Sequence, residues 1–255
     1  MELSGRLDRG DGVELAWAQL RGRGPTVVFL PGFGSDMAGD KATTLAAWCA
    51  ATGRAMLRLD YSGHGISGGA FSNGSIGRWA EDARCVIDRC VIDRQTDRKL
   101  LLVGSSMGGW IALLLARARP ELVAGIVGIA AAPDFTERMR TSLTPEDAAT
   151  LARDGVLVRP SRYGDPYRIS RTLLEDGSRH LLLDGPIPLR CPVRLLHGQQ
   201  DEDVPWELAL TLAERLDSAE VQVTLVKDGD HRLSRPQDLI LLRRTVAALL
   251  DQDGA

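Results

Sequence analysis

Short apolar runs alternate with amphipathic segments along most of the chain. Strand-like runs are predicted at 13–20, 26–30, 55–60, 100–103, 122–131, 193–197 and 221–226, and helical spacing is found at 38–52, 75–93, 107–117, 206–216 and 236–250. Because strands and helices follow each other so regularly, the pattern predicts a mostly parallel central sheet with helices on both faces.

This alternation is interrupted once, at about 134–187. The interruption is polar, is rich in Arg, Asp and Pro, and shows no convincing strand pattern. A long insertion in an otherwise regular α/β chain is typical of a lid or a substrate-binding wall. We therefore predict a single domain of residues 1–255 that carries a helical lid or cap insertion at about 134–187.

A candidate nucleophile lies between a predicted buried strand and an apolar helix. The segment 104–108 reads G-x-S-x-G and is centred on Ser106. A sharp strand-to-helix turn holds such a serine in a strained conformation, and the small flanking residues allow close packing. The following helix directs its first N–H groups towards the serine oxygen. The alternative is a Gly-rich packing turn without chemistry.

A serine nucleophile needs a base, and the chain has four histidines to choose from. His64 precedes the serine and suits a structural turn, while His180 lies in the predicted lid. His197 ends a strand, where it is expected to hold the loop that follows. His231 comes after the strand predicted at 221–226, which is the order found with such serines. Elimination leaves His231 as the base.

The acid that orients the base is expected after the strand that ends at His197. The loop offers three carboxylates, and Asp201 has the spacing of an H-G-x-x-D-x-x-V-P loop. Asp203 is an alternative, either as the acid or as a cap of the next helix, which Pro205 is expected to open. Asp134, after an earlier strand, is a second alternative.

An oxyanion hole requires two N–H donors. The residue after the nucleophile, Met107, is expected to supply one of them. The other is expected from Phe33, in the loop that follows the strand at 26–30, because Gly32 and Gly34 allow a tight backbone path there. The alternative is a plain turn. The loop lacks the Lys-Ser or Lys-Thr of a phosphate-binding loop.

Composition and charge narrow the class of protein further. The chain of 255 residues is 44% hydrophobic and 25% charged and has a net charge of −3, which argues against nucleic-acid binding.

Four cysteines without C-x-x-C spacing are expected to be reduced thiols, and no metal site is expected. The first residues lack an apolar signal segment, and no run suits stable membrane insertion. We therefore expect a cytoplasmic location.

The chain resembles an α/β-hydrolase from about residue 12 to residue 250. Within that superfamily it is similar to the mitochondrial palmitoyl-protein thioesterases that also hydrolyse acyl glucuronides, and to their bacterial relatives, although no Arg- and Ser-rich transit peptide is seen. The segments that carry this closer resemblance are Pro31-Gly32, Asp60-Tyr61-Ser62-Gly63, Val103-Gly104-Ser105-Ser106, Gly108-Gly109-Trp110, Pro160-Ser161, 186–198, Val204-Pro205-Trp206 and Asp230-His231-Arg232. The resemblance implies Ser106 as nucleophile, Asp201 as acid and His231 as base.

These features together predict a serine hydrolase of carboxylic esters or thioesters that works through an acyl-enzyme on Ser106. The expected substrates are small esters or thioesters or an acylated protein, with no organic cofactor. Two alternatives stay open, namely another reaction on the same triad, such as perhydrolysis or C–C hydrolysis, and a non-catalytic binding module.

Arginines are concentrated in the predicted lid. Between residues 153 and 171 there are five arginines against two acidic residues, on a chain whose total charge is negative. We expect Arg162 and Arg168, each next to a tyrosine, to bind a carboxylate on the leaving group. The alternative is a solvated surface in which arginine stems cover the core.

Overall fold

The computed structural model describes residues 1–94, 98–160 and 166–252, which contain ten β-strands and eight α-helices. The strands are β1 (Glu2–Asp8), β2 (Glu14–Leu20), β3 (Arg23–Leu30), β4 (Arg54–Leu59), β5 (Leu100–Ser105), β6 (Val123–Ile129), β7 (Val156–Arg159), β8 (Tyr167–Ser170), β9 (Val193–Gly198) and β10 (Val221–Val226). The helices are α1 (Asp40–Thr52), α2 (Ile76–Cys90), α3 (Met107–Ala118), α4 (Phe135–Thr141), α5 (Pro145–Asp154), α6 (Arg171–Gly177), α7 (Glu207–Arg215) and α8 (Pro236–Gln252).

Eight of these strands form one mixed sheet in the order β1-β2-β4-β3-β5-β6-β9-β10. All neighbours from β4 to β10 are parallel, while β1 and β2, and β2 and β4, pair antiparallel. The prediction of a mostly parallel sheet is thus confirmed. Strand β1 was not predicted, because Leu3 and Leu7 are its only large apolar residues. Its backbone pairing with β2 holds it at the edge of the sheet.

Two hydrophobic layers cover the two faces of the sheet. Successive residues of a strand point to opposite faces, and β3 accordingly places Val28 in one layer and Val27 and Phe29 in the other. Helices α2, α3 and α7 contribute to the first layer, and α1 and α8 contribute to the second. Helices therefore pack on both faces, as the sequence pattern predicts.

The segment between β6 and β9 corresponds to the predicted insertion and contains α4, α5, α6 and the antiparallel hairpin β7–β8. The expectation that it holds no strand is wrong. Each strand of the hairpin has only four residues and carries an arginine, and the apolar run at 156–158 is too short to predict a strand. The hairpin is stabilised from one side, where Leu157 and Ile169 pack with Leu151 and Leu174.

The two ends of this segment meet at one buried carboxylate. Asp134 directly precedes α4, and its side chain accepts the backbone N–H groups of Leu182 (2.9 Å) and Leu183 (2.8 Å) at the far end of the segment. The segment therefore leaves the sheet and returns to it at nearly the same place. Within the described part of the chain, no helix combines the length and the apolar character needed to cross a membrane.

The turn between β5 and α3 depends on the absence of side chains. A Cβ atom on Gly108 would lie 2.0 Å from the carbonyl oxygen of Leu30, which is backbone and cannot rotate away. We expect Gly108→Ala to lower the free energy of unfolding by about 1–3 kcal/mol or more, because the overpacking must move β3 or α3. Gly185→Ala is the matched control, since no atom lies within 4 Å of its Cβ position.

Chemical denaturation of both variants measures the difference. A Gly108→Ala protein as stable as Gly185→Ala would contradict the described contact.

Candidate active site

The turn between β5 and α3 exposes Ser106 in a conformation that few side chains adopt. Its φ of 53° and ψ of −116° place it in the positive-φ region as the cap of α3. Gly104 packs against the backbone of Gly108, where a Cβ atom would lie 2.2 Å from the carbonyl oxygen. The strained serine and the close packing of its neighbours both agree with the sequence-based expectation.

Three of the predicted side chains lie in one hydrogen-bonded line. The Nε2 atom of His231 is 3.1 Å from the hydroxyl oxygen of Ser106, and its Nδ1 atom is 2.7 Å from Oδ2 of Asp201. A carboxylate only accepts hydrogen bonds, so Nδ1 carries the proton and Nε2 has its lone pair directed at the serine hydroxyl. This is the geometry in which a histidine can take a proton from a serine.

Asp201 is held by four donors although its side chain has no exposed surface. Its Oδ1 atom accepts the backbone N–H groups of Asp203 (2.9 Å) and Val204 (2.8 Å), and its Oδ2 atom accepts His231 and His197. Burial raises the pKa of the Asp201 carboxyl, but the hydrogen bonds from the two histidines and the charge of His231 outweigh it and hold the pKa well below its usual range. The group is therefore ionised at neutral pH.

The structure separates Asp201 from the other two candidate acids. Asp203 is exposed, and its backbone rather than its side chain holds Asp201. It does not cap α7, which begins at Glu207 after an unassisted Trp206 cap, two residues beyond Pro205. The carboxylate of Asp134 binds the end of the inserted segment, as described above.

The remaining histidines have other partners. His197 is buried, and its Nε2 atom lies 3.1 Å from both Oδ2 of Asp201 and the carbonyl oxygen of Val204, which agrees with the expected loop-holding role. His180 lies in the inserted segment, 3.6 Å from a carboxylate oxygen of Asp176. His64 is 3% exposed and contacts the loop after β3.

The two residues predicted as oxyanion donors lie in elements next to Ser106. Met107 is the first residue of α3, and the loop 31–34 approaches Ser106 so closely that a Cβ atom on Gly32 would lie 3.4 Å from Ser106 Cβ. Among the described residues, no hydrogen bond from the N–H group of Phe33 or Met107 is found. Both groups therefore have their hydrogen available for a ligand.

A cavity of about 890 Å³ opens above Ser106 and His231. Its apolar side consists of residues that pack together, namely Phe33, Phe71, Met107, Phe135, Met139 and Tyr167. Its polar lining residues include Asp36, Asp40, Lys41, Arg138, Asp203 and Arg232. Phe33 is the centre of the apolar side, with its ring 4.9 Å from that of Phe71 and 5.4 Å from that of Tyr167. The inserted segment supplies Phe135, Met139 and Tyr167.

On the polar side, Lys41 supports the loop that follows His231. Its ammonium donates to the carbonyl oxygen of Arg232 (2.5 Å) and to the hydroxyl of Ser234 (3.2 Å). Burial, together with the charge of Arg232, lowers the pKa of Lys41 to about 8. The amine is thus still largely protonated at neutral pH and holds the loop as a donor.

Of the two arginines predicted to bind a carboxylate, only Arg168 lies within the described residues. Arg162 lies outside the described residues. Arg168 is an exposed residue of β8 that lines the cavity, and its binding role stays a prediction. Arg138 of α4, which the sequence did not single out, also lines the cavity, is half-buried, and donates to the carbonyl oxygen of Asp203 (2.8 Å). Burial lowers the pKa of this guanidinium, while the nearby charges of Asp201 and Asp203 raise it.

Asp201, Asp203 and His231 also offer ligand atoms within 4.8 Å of one another, a spacing at which such groups can hold a metal ion. In this arrangement Oδ2 of Asp201 already accepts Nδ1 of His231, and the Nε2 atom of His231 already meets Ser106. A metal ion would have to break these contacts. The group fits a proton relay better than a cation site.

Sequence comparison places the chain in a known family. The family model described as serine aminopeptidase, S33 matches residues 23–172. The mouse protein named palmitoyl-protein thioesterase ABHD10, mitochondrial is 39% identical over 248 residues, which are 96% of this chain and 82% of the mouse protein. This chain belongs to the α/β-hydrolase family.

Solved α/β-hydrolase structures agree with that assignment. A crystal structure of a protein from Agrobacterium vitis S4 superposes with a TM-score of 0.91 at 40% identity, and covers 98% of both chains. The structure of mouse α/β-hydrolase domain-containing protein 10 superposes with a TM-score of 0.89 at 38% identity, and covers 99% of this chain and 100% of the mouse chain. The fold predicted from the sequence is confirmed, and the protein is a hydrolase.

The expected cytoplasmic location is contradicted by the same α/β-hydrolase relatives. The mouse protein and its human counterpart, which is 38% identical over 96% of this chain, are both named as mitochondrial proteins. The expectation rested on the composition of the first few residues. The location of the relatives, which match this chain over nearly its full length, points the other way.

The two acidic residues of the loop after β9 can be told apart by substitution. We expect Asp201→Asn to lower kcat by a factor on the order of 10⁴, because the amide no longer orients the histidine or stabilises its charged form. Asp203→Asn, the matched control two residues away, is expected to keep kcat within about threefold, since its backbone makes the described contacts.

Steady-state kinetics on a reporter ester measures both variants. Each rate is compared at equal folded fraction, determined by thermal unfolding. A larger loss of kcat for Asp203→Asn would show that Asp203, and not Asp201, is the acid.

Proposed function

We propose that the protein is a serine hydrolase that cleaves esters or thioesters of apolar acyl groups through an acyl-enzyme on Ser106. The observation that carries this proposal is the line of contacts from Ser106 through His231 to Asp201, set beside two N–H groups with free hydrogens. The thioesterase name of the mouse relative supports the class of bond.

In the first half of the proposed reaction, Nε2 of His231 takes the hydroxyl proton of Ser106 as the serine oxygen attacks the acyl carbonyl carbon. The negative charge that develops on the carbonyl oxygen is stabilised by the N–H groups of Phe33 and Met107. Asp201 stabilises the charged imidazole. The bond to the alcohol or thiol then breaks, and the leaving group takes the proton from Nε2.

In the second half, a water molecule takes the place of the leaving group. His231 accepts a proton from the water as its oxygen attacks the ester carbonyl on Ser106. Collapse of the second tetrahedral species breaks the bond to the serine oxygen, which recovers its proton from His231, and the carboxylic acid is released. No group outside the chain and the substrate is consumed apart from water.

The apolar side of the cavity is the evidence for the proposal that the acyl group of the substrate is apolar. Phe33, which carries one of the two proposed oxyanion donors, has its ring in that wall, so a carbonyl held at the donors has an apolar surface beside it. Burial of such a chain against aromatic and methionine side chains contributes about 25 cal/mol per Å² of apolar surface. We further propose that the segment 134–187 is the cap of a single domain, because it supplies part of this wall.

The nucleophile can be tested with Ser106→Ala and with Ser105→Ala as the matched control. A fluorophosphonate probe is expected to label the wild type and Ser105→Ala but not Ser106→Ala, because the hydroxyl of Ser106 lies in hydrogen-bonding contact with His231. Turnover of a thioester should be lost in Ser106→Ala apart from a residual rate of roughly 10³–10⁴ over water.

Competition with esters, thioesters and short peptides then identifies the class of bond. Labelling of Ser106→Ala at the wild-type rate would refute the proposed nucleophile, and preferential turnover of peptides would refute the proposed substrate class.

The acyl wall can be tested at Met139, a half-buried residue of α4 that lines the cavity. We expect Met139→Ala to reduce kcat/KM for an octanoyl thioester by about fivefold to thirtyfold, which corresponds to about 1–2 kcal/mol of lost apolar contact. The acetyl thioester should change by less than about twofold, because its acyl group has no chain to pack against Met139.

Ser142→Ala is the control for this substitution. Ser142 also lines the cavity, three residues further along, but it is exposed and polar. Equal losses on both thioesters in Met139→Ala, or the same loss in Ser142→Ala, would show that the acyl group binds elsewhere.

A further inference from the structure

The segment Asp60-Tyr61-Ser62-Gly63-His64-Gly65 follows β4 and stands out in the sequence, yet it supplies no group to the proposed reaction. We infer that this segment fixes the loop that carries the Phe33 N–H group, and that His64 is the positioning residue at its centre. The inference rests on the proposed function, because it assigns Phe33 a part in oxyanion binding.

Three successive contacts join this segment to the loop 31–37. The hydroxyl of Tyr61 donates to the carbonyl oxygen of Pro31 (3.3 Å). The backbone N–H of Gly34 donates to Nε2 of His64 (3.2 Å), and the backbone N–H of Met37 donates to Oδ1 of Asp60 (2.7 Å). The loop is therefore held at its beginning, its middle and its end by side chains of one segment.

The contact made by His64 lies closest to the proposed donor. Gly34 directly follows Phe33 and has a φ of 69°, and the hydrogen bond from its N–H to His64 fixes the peptide plane next to the one that links Phe33 to Gly32. An N–H group stabilises an oxyanion only when it is aimed in advance at the position of the charge. If His64 no longer accepts the N–H of Gly34, this part of the loop loses the contact that holds it.

The surroundings of His64 hold its ring in one orientation and one tautomer. Its Nδ1 atom donates to the carbonyl oxygen of Ser62 (3.2 Å), and the ring packs edge-on against Trp79 with centroids 5.0 Å apart. Since Nδ1 carries the proton, Nε2 has a lone pair for Gly34. The charges that face this ring are those of Asp82 and Asp36, but burial outweighs them and lowers the pKa of His64 to about 4. Nε2 therefore remains an acceptor at neutral pH.

The segment is itself attached to α2 through hydrogen bonds from Ser62 to the buried carboxylate of Asp82. Asp82 has no exposed side-chain surface and pairs with Arg9 at 2.7 Å, and its Oδ2 atom accepts both the N–H (2.8 Å) and the hydroxyl (2.6 Å) of Ser62. Ser62 in turn accepts Nδ1 of His64. The chain of contacts thus runs from Asp82 of α2 through Ser62 and His64 to Gly34.

The test compares His64→Phe, which keeps an aromatic ring but has no acceptor, with His64→Gln, whose side-chain oxygen can reach the position of Nε2. We expect His64→Phe to lower kcat by roughly 10- to 100-fold with KM changed less than threefold, somewhat below the 10²–10³ that outright loss of an oxyanion donor costs. His64→Gln should recover most of kcat.

His180→Phe is the matched control, because it makes the same substitution at a histidine whose described contacts include those with Asp176 and Trp110 and none with the loop 31–37. Hydrogen exchange at the Gly34 amide gives a readout that does not depend on catalysis, and it should speed up in His64→Phe alone. If His64→Phe does not fold, His64→Leu replaces it in both measurements.

Unchanged kcat and unchanged exchange in His64→Phe would overturn the inference. An equal loss of kcat in His64→Gln and His64→Phe would also overturn it, because the acceptor atom would then be irrelevant. If the wild type hydrolyses neither esters nor thioesters, the proposed function fails together with the catalytic part of the inference, while exchange at Gly34 still decides whether His64 holds the loop.

Discussion

The contact on which the rest of the site depends is the one between the start of α3 and the end of β3. Gly108 has no room for a side chain against Leu30, and Gly104 of β5 has none against Gly108. Ser106, between these two glycines, has a positive φ. This strain costs on the order of 1–3 kcal/mol and persists only because the surrounding sheet determines it. In return, the hydroxyl stands clear of the strand and the first turn of α3 faces the same space as the loop after β3.

The parallel arrangement of the strands explains why distant residues meet there. Strands β3, β5 and β9 are parallel, so their carboxyl ends, and the loops that follow them, lie along one edge of the sheet. The same edge receives the loop after β10, which carries His231. The buried Asp201 lies in the loop after β9 and is held ionised by its donors. The apolar wall of the cavity comes largely from outside the sheet.

Ser106, Asp201 and His231 were within reach of sequence reasoning because each follows a strand, and strand ends can be located from apolar runs. The same reasoning failed where structure depends on contacts between polar groups or on backbone pairing alone. Strand β1 lacks an apolar run, and that of the hairpin β7–β8 is only three residues long. Arg138 meets Asp203 across 65 residues of sequence without any local signal. His64 was recognised only as a turn residue, since nothing in its neighbourhood along the chain reveals its contact with Gly34.

The closure of the inserted segment at Asp134 has a consequence for how such a protein can diversify. Because the segment leaves and rejoins the sheet at a single point, its length and side chains can change without any displacement of the strands that carry Ser106, Asp201 and His231. Selection for a new acyl group can therefore act on the inserted segment alone, while the residues proposed to make and break bonds stay unchanged. The architecture separates the evolution of substrate choice from the preservation of chemistry.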